Sequence, residues 1–222
     1  MIIAIDGPAG SGKGTLAKRL AGHFGLPHLD TGLLYRAVAL TLLDRDLPLS
    51  DASAATRVAA SLDPSGLDDP RLKGGPMGDA ASVVSAYQPV RDALLDLQRR
   101  FAAQPSGAVL DGRDIGTVVC PEAGAKLFVT ATPEERARRR HLELLSRNEA
   151  APYEVILADI QRRDERDMSR SAAPLRPADD AVVLDTTTLD AEAAFEAALD
   201  IVERVRGAVP AGRLRAAPKL AW

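Results

Sequence analysis

The stretch GPAGSGKGT, from Gly7 to Thr15, has the residue types of a loop that holds nucleotide phosphates. Glycines let backbone N–H groups turn toward an anion, and the lysine of such a loop supplies a positive charge for the β- and γ-phosphates. Gly7, Gly12 and Lys13 fit the pattern G-x-x-x-x-G-K-[ST], but the next residue is Gly14 and the hydroxyl comes at Thr15. The pattern therefore predicts a phosphate site in which Gly14 offers no magnesium ligand.

Arginine-rich stretches form a second group of candidates. DGRDIGT follows a predicted strand, and ERARRR and RRDERDMSR lie on predicted helices. Arginine suits a site that grips phosphate oxygens, and phosphoryl transfer needs positioning and cationic stabilisation of the charge on the transferred group. Alternatively, each stretch is a solvated helix face with ion pairs between residues four apart. Beside a phosphate loop, we favour the functional interpretation.

The elements that must position these groups alternate between strand and helix. Apolar runs predict five strands, near 2–6, 27–29, 108–111, 126–130 and 182–185. With amphipathic helices between them, the pattern predicts an α/β fold with a doubly wound, mostly parallel five-stranded sheet and helices on both faces. Four aspartates end or follow these strands: Asp6, Asp30, Asp111 and Asp185. Ligands bind at this edge of such sheets, so we expect the polar groups to gather there.

Composition excludes several classes of protein. The 222 residues are 46% hydrophobic and 27% charged, as in a globular chain, and the net charge of −3 gives no basic field for nucleic acid. One cysteine, Cys120, excludes a disulfide framework, and His23, His28 and His141 lack metal-ligand spacing. No apolar run is long enough to span a membrane and no signal peptide is recognised, so we expect a cytoplasmic protein.

Longer motifs carry a family resemblance. GPAGSGKGTLAKRLA resembles the phosphate loop of nucleoside monophosphate kinases, in which GKGT is common. LDTGLLYR, LDGRDIGTVVCPEAGAKLFVTA and RRDERDMSRSAAPLRPADDAVVLDTTTL narrow the resemblance to the bacterial cytidylate kinases, over most of residues 1–206. This resemblance implies a P-loop NTPase-type fold, a monomer, and phosphoryl transfer from ATP to CMP or dCMP. An adenylate or uridylate kinase, or an ATP-binding switch without catalysis, remains the alternative.

The resemblance also implies an ATP site. Its predicted residues are Gly7, Pro8, Ala9, Gly10, Ser11, Gly12, Lys13, Gly14, Thr15, Arg136, Arg139 and Arg140. The three arginines would begin a short lid, about 141–154, that closes over ATP. No residue is expected to bind Mg²⁺ directly: phosphates and water would hold the ion, with Thr15 or Asp111 next to its water shell.

The predicted CMP site is carried over in the same way. Its residues are Thr31, Tyr35, Arg36, Ser82, Arg91, Asp111, Arg113, Asp114, Arg163, Asp167 and Arg170. The acceptor phosphate would meet Arg36, Arg113 and Arg170, and the ribose would meet Arg163 and Asp167. The cytosine edge would meet Ser82, Arg91 and Asp114, because a carboxylate and a guanidinium complement its donor and acceptors. The predicted catalytic residues are Lys13, Arg113 and Arg170.

We expect one kinase domain over 1–206, with an acceptor-binding segment at about 36–90 and a flexible tail over 207–222. The chain departs from the family within this segment, where DPSGLDDPRLKGGPMGD, over 63–79, predicts a loop or a poorly ordered insert. The family usually has a larger insert with an IR-x-x-E element. Here Lys73 replaces the arginine and Pro76 the glutamate, so we expect weaker closure around the base.

Overall fold

Five parallel strands form a single sheet in the computed structural model, which describes residues 1–149 and 151–208. The strands are β1 (Ile2–Asp6), β2 (His28–Asp30), β3 (Ala108–Gly112), β4 (Ala125–Thr130) and β5 (Val182–Asp185). Their order across the sheet is β2-β3-β1-β4-β5, and every pairing is parallel. The predicted five-stranded, doubly wound fold is confirmed, and each strand begins and ends within one residue of its expected position.

Helices connect and cover the strands. They are α1 (Lys13–Phe24), α2 (Thr31–Asp44), α3 (Ala52–Ala60), α4 (Gly75–Val84), α5 (Gln88–Ala102), α6 (Pro133–Ser146), α7 (Tyr153–Ser169) and α8 (Ala191–Ala208). A π-type turn, Ile115–Val119, follows β3. Within the described part of the chain, no helix is both long and apolar enough to cross a membrane.

The central strand explains why the core has two halves. Side chains alternate between the two faces of a strand, and parallel sheets are buried on both. Ile3 and Ile5 pack with α1 and α8 on one face, whereas Ala4 packs with Leu34 of α2 and Leu110 of β3 on the other. Since helices cover both faces, the polar groups of β1 and β3 collect at the carboxyl edge of the sheet.

Local sequence signals set several helix ends. Gly25 ends α1 with a left-handed φ of 62°, and Thr132 caps α6 by accepting a hydrogen bond from the backbone N–H of Glu135. Asp30 caps α2 by accepting a bond from Gly32 N at 2.9 Å. This last cap fixes a carboxylate of the candidate site at the end of β2.

The insert is more ordered than the sequence predicts. Its first part forms two short 3₁₀ turns, Pro64–Gly66 and Pro70–Leu72, but α4 begins at Gly75, so the loop prediction over 63–79 is wrong at its end. Pro76 lies in the first turn of α4, where a missing N–H breaks no helical hydrogen bond. Of the predicted tail over 207–222, Gly207 and Ala208 are in α8, and the rest lies outside the described residues.

Candidate active site

The phosphate loop joins β1 to α1 and has the backbone that its glycines permit. Gly10 and Gly12 have φ values of 75° and 88°, which residues with a side chain rarely adopt. A Cβ on Gly7 would lie 2.0 Å from the carbonyl oxygen of Val129 on β4. The Ser11 hydroxyl is buried without a hydrogen-bond partner beside the N-terminus of α1. A buried polar group without a partner, at a helix N-terminus, fits a site that receives an anion.

Lys13 is half-buried, and its ammonium donates a hydrogen bond to Pro8 O at 3.3 Å. Burial, together with the positive charge of Arg113, lowers the pKa of Lys13 from 10.5 to about 7, although Asp111 and Asp30 act in the opposite direction. Because burial penalises the charged form, an anionic ligand would restore the charge. The lysine is therefore placed to bind a phosphate.

Carboxylates follow the strands next to the loop. Asp111, at the end of β3, has Oδ1 2.7 Å from His28 Nε2, and its Oδ2 would lie 3.7 Å from a Cβ on Gly14. Burial and the neighbouring Asp111 raise the pKa of Asp30. Within the described ranges, no three His, Cys, Asp or Glu side chains are grouped to hold a metal. The Asp111 carboxylate and the Thr15 hydroxyl supply oxygen, the donor that Mg²⁺ prefers, so these residues fit a metal bound mainly through phosphate and water.

A pocket that is open to solvent lies beside the phosphate loop. Nine of the eleven predicted CMP-binding residues line it: Thr31, Tyr35, Ser82, Arg91, Arg113, Asp114, Arg163, Asp167 and Arg170. These residues come from α2, α4, α5, α7, the residue after α7 and the segment after β3. The fold thus brings together residues that are up to 139 positions apart in the sequence, from Thr31 to Arg170.

Asp167 organises one side of this pocket. Its Oδ2 accepts a hydrogen bond from Arg113 Nε at 3.0 Å, and its Oδ1 accepts one from the Ser82 hydroxyl at 2.8 Å. Burial alone would raise the pKa of Asp167, but Arg113, Arg163 and Arg170 hold it below its ordinary value. Conversely, burial and the charge of Arg113 lower the pKa of Arg163 to about 9. The cluster is short of negative charge, as expected where a phosphate binds.

The pocket also carries a buried ion pair between Arg91 and Asp114. Arg91 also donates a hydrogen bond to Ser85 O at 3.1 Å and lies 5.4 Å from the centre of the Tyr35 ring. Arg170 Nη1 donates to the Ser85 hydroxyl at 3.1 Å, whereas its Nη2 is buried without a partner. An aromatic ring, a carboxylate and guanidinium groups therefore meet at one end of the pocket, which suits a polar, planar base.

Arg36 reaches toward the pocket from α2 but is held by the insert. Its Nη1 donates to Leu72 O at 2.8 Å and to Gly74 O at 3.1 Å. A Cβ on Gly78 of α4 would lie 3.2 Å from Arg36 Nη2 and 2.7 Å from Arg163 Nη1. Because Gly78 has no side chain, both guanidinium groups can pack against α4. The sequence alone gave no reason to assign this glycine to the site.

The three arginines predicted to contact ATP already have partners in the protein. Arg136 is buried, pairs with both carboxylate oxygens of Asp164 on α7, and donates to Ala9 O of the phosphate loop at 3.0 Å. Arg139 contacts Glu135 and the loop after β5, and Arg140 contacts Glu143. Arg136 thus supports the phosphate loop through the Ala9 carbonyl. The ATP contacts of all three arginines stay predictions.

The sequence did not predict the contacts of two further residues, Asp6 and His28. Both oxygens of Asp6 accept backbone hydrogen bonds at 2.8 Å, from Ile115 and Gly116, and so hold the turn after β3. His28, whose spacing indicated no role, hydrogen-bonds to Asp111. The position of Asp6 at the end of β1 was a usable signal, whereas the contact of His28 depends on the register of β2 and β3.

A phosphate loop and an arginine-lined pocket at the carboxyl edge of one parallel sheet define a P-loop kinase with two anionic substrates. The family model for cytidylate kinase matches residues 3–204. The chain therefore belongs to the cytidylate kinase family.

Individual proteins agree with this assignment. A cytidylate kinase of Methylocella silvestris is 63% identical over 212 residues, which cover 96% of this chain and 98% of that protein. A cytidylate kinase of Xanthobacter autotrophicus is 64% identical over 206 residues, covering 93% and 99%. A crystal structure of an uncharacterized protein from Eubacterium ventriosum has a TM-score of 0.52 at 16% identity, covering 92% and 98%. That structure supports the fold alone.

Proposed function

We propose that the chain transfers the γ-phosphoryl group of ATP to CMP or dCMP and releases ADP with CDP or dCDP. The observation that carries this proposal is the buried Arg91–Asp114 pair at the end of an arginine-lined pocket, on the sheet edge that holds the phosphate loop. Relatives that are 63% and 64% identical are named cytidylate kinase, which supports the same acceptor.

The ATP phosphates bind in the loop between β1 and α1. Loop N–H groups and the N-terminus of α1 face the phosphates, and Lys13 contributes its charge. Asp111 and Thr15 would lie beside the water shell of a Mg²⁺ ion bound with ATP, and that ion would supply charge neutralisation of the phosphates. In this proposal the binding energy comes mainly from backbone groups, which need no rearrangement when charge moves during transfer.

The acceptor phosphate binds among Arg36, Arg113 and Arg170. These guanidinium groups and Lys13 stabilise the negative charge that spreads over the transferred group, and they hold donor and acceptor oxygens in line. Arg163 and Asp167 hold the ribose. Such a transfer needs no covalent intermediate, and no strong general base is required.

The hydrogen-bonding groups on the base distinguish cytosine from uracil in this proposal. Cytosine has an amino donor beside a ring-nitrogen acceptor, and its amino group would donate to the Asp114 carboxylate while Arg91 donates to the acceptors of the base. Uracil has an oxygen in place of the amino group, which would face Asp114 and leave two acceptors opposed. The pair therefore favours cytosine over uracil.

The proposal also covers the domain organisation, the oligomeric state and the cellular location of the protein. One kinase domain covers 1–206, with the acceptor segment at about 36–90 and the lid at about 141–154. The protein acts as a cytoplasmic monomer on small nucleotides and binds neither nucleic acid nor membranes. Light scattering of the purified chain tests the monomer, because a dimer would double the measured mass.

The activity itself is tested by coupled ADP release with CMP, dCMP, UMP, AMP or GMP as acceptor. We expect turnover with CMP and dCMP, and indifference to CMP would contradict the proposal. Arg170→Ala separates catalysis from an ATP-binding switch. It should lower turnover by at least about 100-fold, because its donors stabilise transition-state charge. A variant that loses only stability would favour the switch.

A further inference from the structure

His28 lies on the same face of the sheet as the phosphate loop and its helix. The parallel register pairs His28 with Val109 and Asp30 with Asp111, so all four side chains project from one face. Val109 packs with Leu16 of α1 in the core on that face. His28 therefore lies diagonally across from Asp111, two positions along the neighbouring strand, where long side chains can still meet.

The contact between these residues is short and mostly buried. His28 Nε2 is 2.7 Å from Asp111 Oδ1, and the side chains are 15% and 3% exposed. A carboxylate can only accept, so Nε2 donates the hydrogen bond. Among the described residues, no other group hydrogen-bonds to this carboxylate. His28 thus fixes Oδ1 and leaves Oδ2 directed toward Gly14, at the first turn of α1.

The Asp111 carboxylate needs such a restraint because Asp30 repels it and Lys13 attracts it. Asp30 is fixed as the cap of α2, and the charge of Asp111 helps to raise its pKa, so the two carboxylates repel each other. Lys13 attracts both carboxylates. Without the donor from His28, Asp111 would be free to rotate away from Asp30 or toward the lysine.

We propose that His28 is a positioning residue that holds the Asp111 carboxylate toward the phosphate loop, so that Oδ2 meets the water shell of the Mg²⁺ bound with ATP. This inference rests on the proposed function for the ATP and metal part of the site. It does not depend on which nucleotide is the acceptor. Partners that orient a metal-site carboxylate commonly change metal affinity by about 10- to 100-fold.

Calorimetric binding of a non-hydrolysable ATP analogue, with Mg²⁺ and with EDTA, tests the inference without any turnover. We define the magnesium-dependent gain as the affinity for the analogue with Mg²⁺ divided by its affinity with EDTA. His28→Leu should lower this gain by about 10-fold and leave the EDTA affinity within about twofold of the wild type. His28→Gln, which retains a donor of similar reach, should keep the gain. His23→Leu, on the exposed end of α1, is the control and should change neither value.

Specific outcomes would overturn the proposal. It fails if His28→Leu keeps the full gain, if His28→Gln loses as much as His28→Leu, or if the wild type shows no gain. Should His28→Leu not fold, His28→Asn takes its place, because its shorter amide cannot reach Asp111. A wild type with a normal gain but no turnover of CMP would contradict the proposed acceptor and leave the role of His28 supported.

Discussion

Arg113 Nε donates a hydrogen bond to Asp167 Oδ2 at 3.0 Å, and this contact connects the residue after β3 to the last part of α7. Asp167 also accepts from Ser82 of α4 and lies 3.9 Å from Arg163 Nε. One carboxylate therefore fixes groups from three parts of the fold around the acceptor pocket. The arginines remain near each other despite their like charges because Asp167 lies between them.

Replacing Asp167 by Asn should weaken both folding and acceptor binding. The amide keeps the shape but removes the charge that compensates Arg113 and Arg163, so we expect a loss of roughly 3 kcal/mol in the free energy of unfolding and a KM for CMP at least about 10-fold higher. Urea unfolding and steady-state kinetics measure the two effects. Asp159→Asn, at an exposed ion pair on the same helix, is the control. Equal behaviour of both variants would refute the role assigned to Asp167.

Gly78→Ala should weaken CMP binding without destabilising the protein. The added Cβ would lie 2.7 Å from Arg163 Nη1, a flexible end that can move away, so the protein should stay folded and gain up to about 1 kcal/mol from better helix propensity. The moved guanidinium groups should raise the KM for CMP by about 10-fold. The KM for ATP should not change.

Gly75→Ala in the same helix provides the matched control. Its Cβ would be 3.7 Å from Arg140 Nη2, an ordinary contact, so we expect wild-type kinetics. An unchanged KM for CMP in Gly78→Ala would show that the packing of Arg36 and Arg163 against α4 is not required for acceptor binding.

Arg136→Lys should destabilise the phosphate loop. A single ammonium cannot replace a guanidinium that contacts both oxygens of Asp164 and the Ala9 carbonyl, so we expect a loss of about 3 kcal/mol in unfolding free energy and a higher KM for ATP. Arg138→Lys, at an exposed pair on the same helix, should unfold at the wild-type urea concentration. If both variants unfold alike, the buried contacts of Arg136 do not stabilise the loop.

ATP binding should take up a proton at pH 8. In the free protein the pKa of Lys13 is about 7, so the amine is mostly neutral at pH 8, and the bound triphosphate raises the pKa back toward 10.5. Calorimetry in two buffers with different ionisation enthalpies should report an uptake approaching one proton per site. Lys13→Arg keeps its charge throughout and should show almost none. Zero uptake by the wild type would contradict the lowered pKa.

The sequence was sufficient for the sheet and the phosphate loop because both depend on short, local patterns. Runs such as IIAID have few alternatives to a buried strand, and the loop requires glycine where φ is positive. The insert was harder to predict, because Gly, Pro and Asp suit loops as well as the first turn of α4. The roles inferred for Gly78 and His28 depend on which side chains tertiary packing and strand register bring beside them.

Competition between acceptors tests the central claim most directly. The wild-type protein is incubated with ATP, Mg²⁺ and equal concentrations of CMP, UMP, AMP and GMP, and the diphosphates are separated by anion-exchange chromatography at low conversion. Because Arg91 and Asp114 match the cytosine edge, we expect CDP to exceed each other diphosphate by at least about 10-fold, as one well-formed base contact permits. Labelled AMP is used to trace the ADP formed from AMP. The account would be contradicted if UDP, GDP or the ADP formed from AMP equals or exceeds CDP.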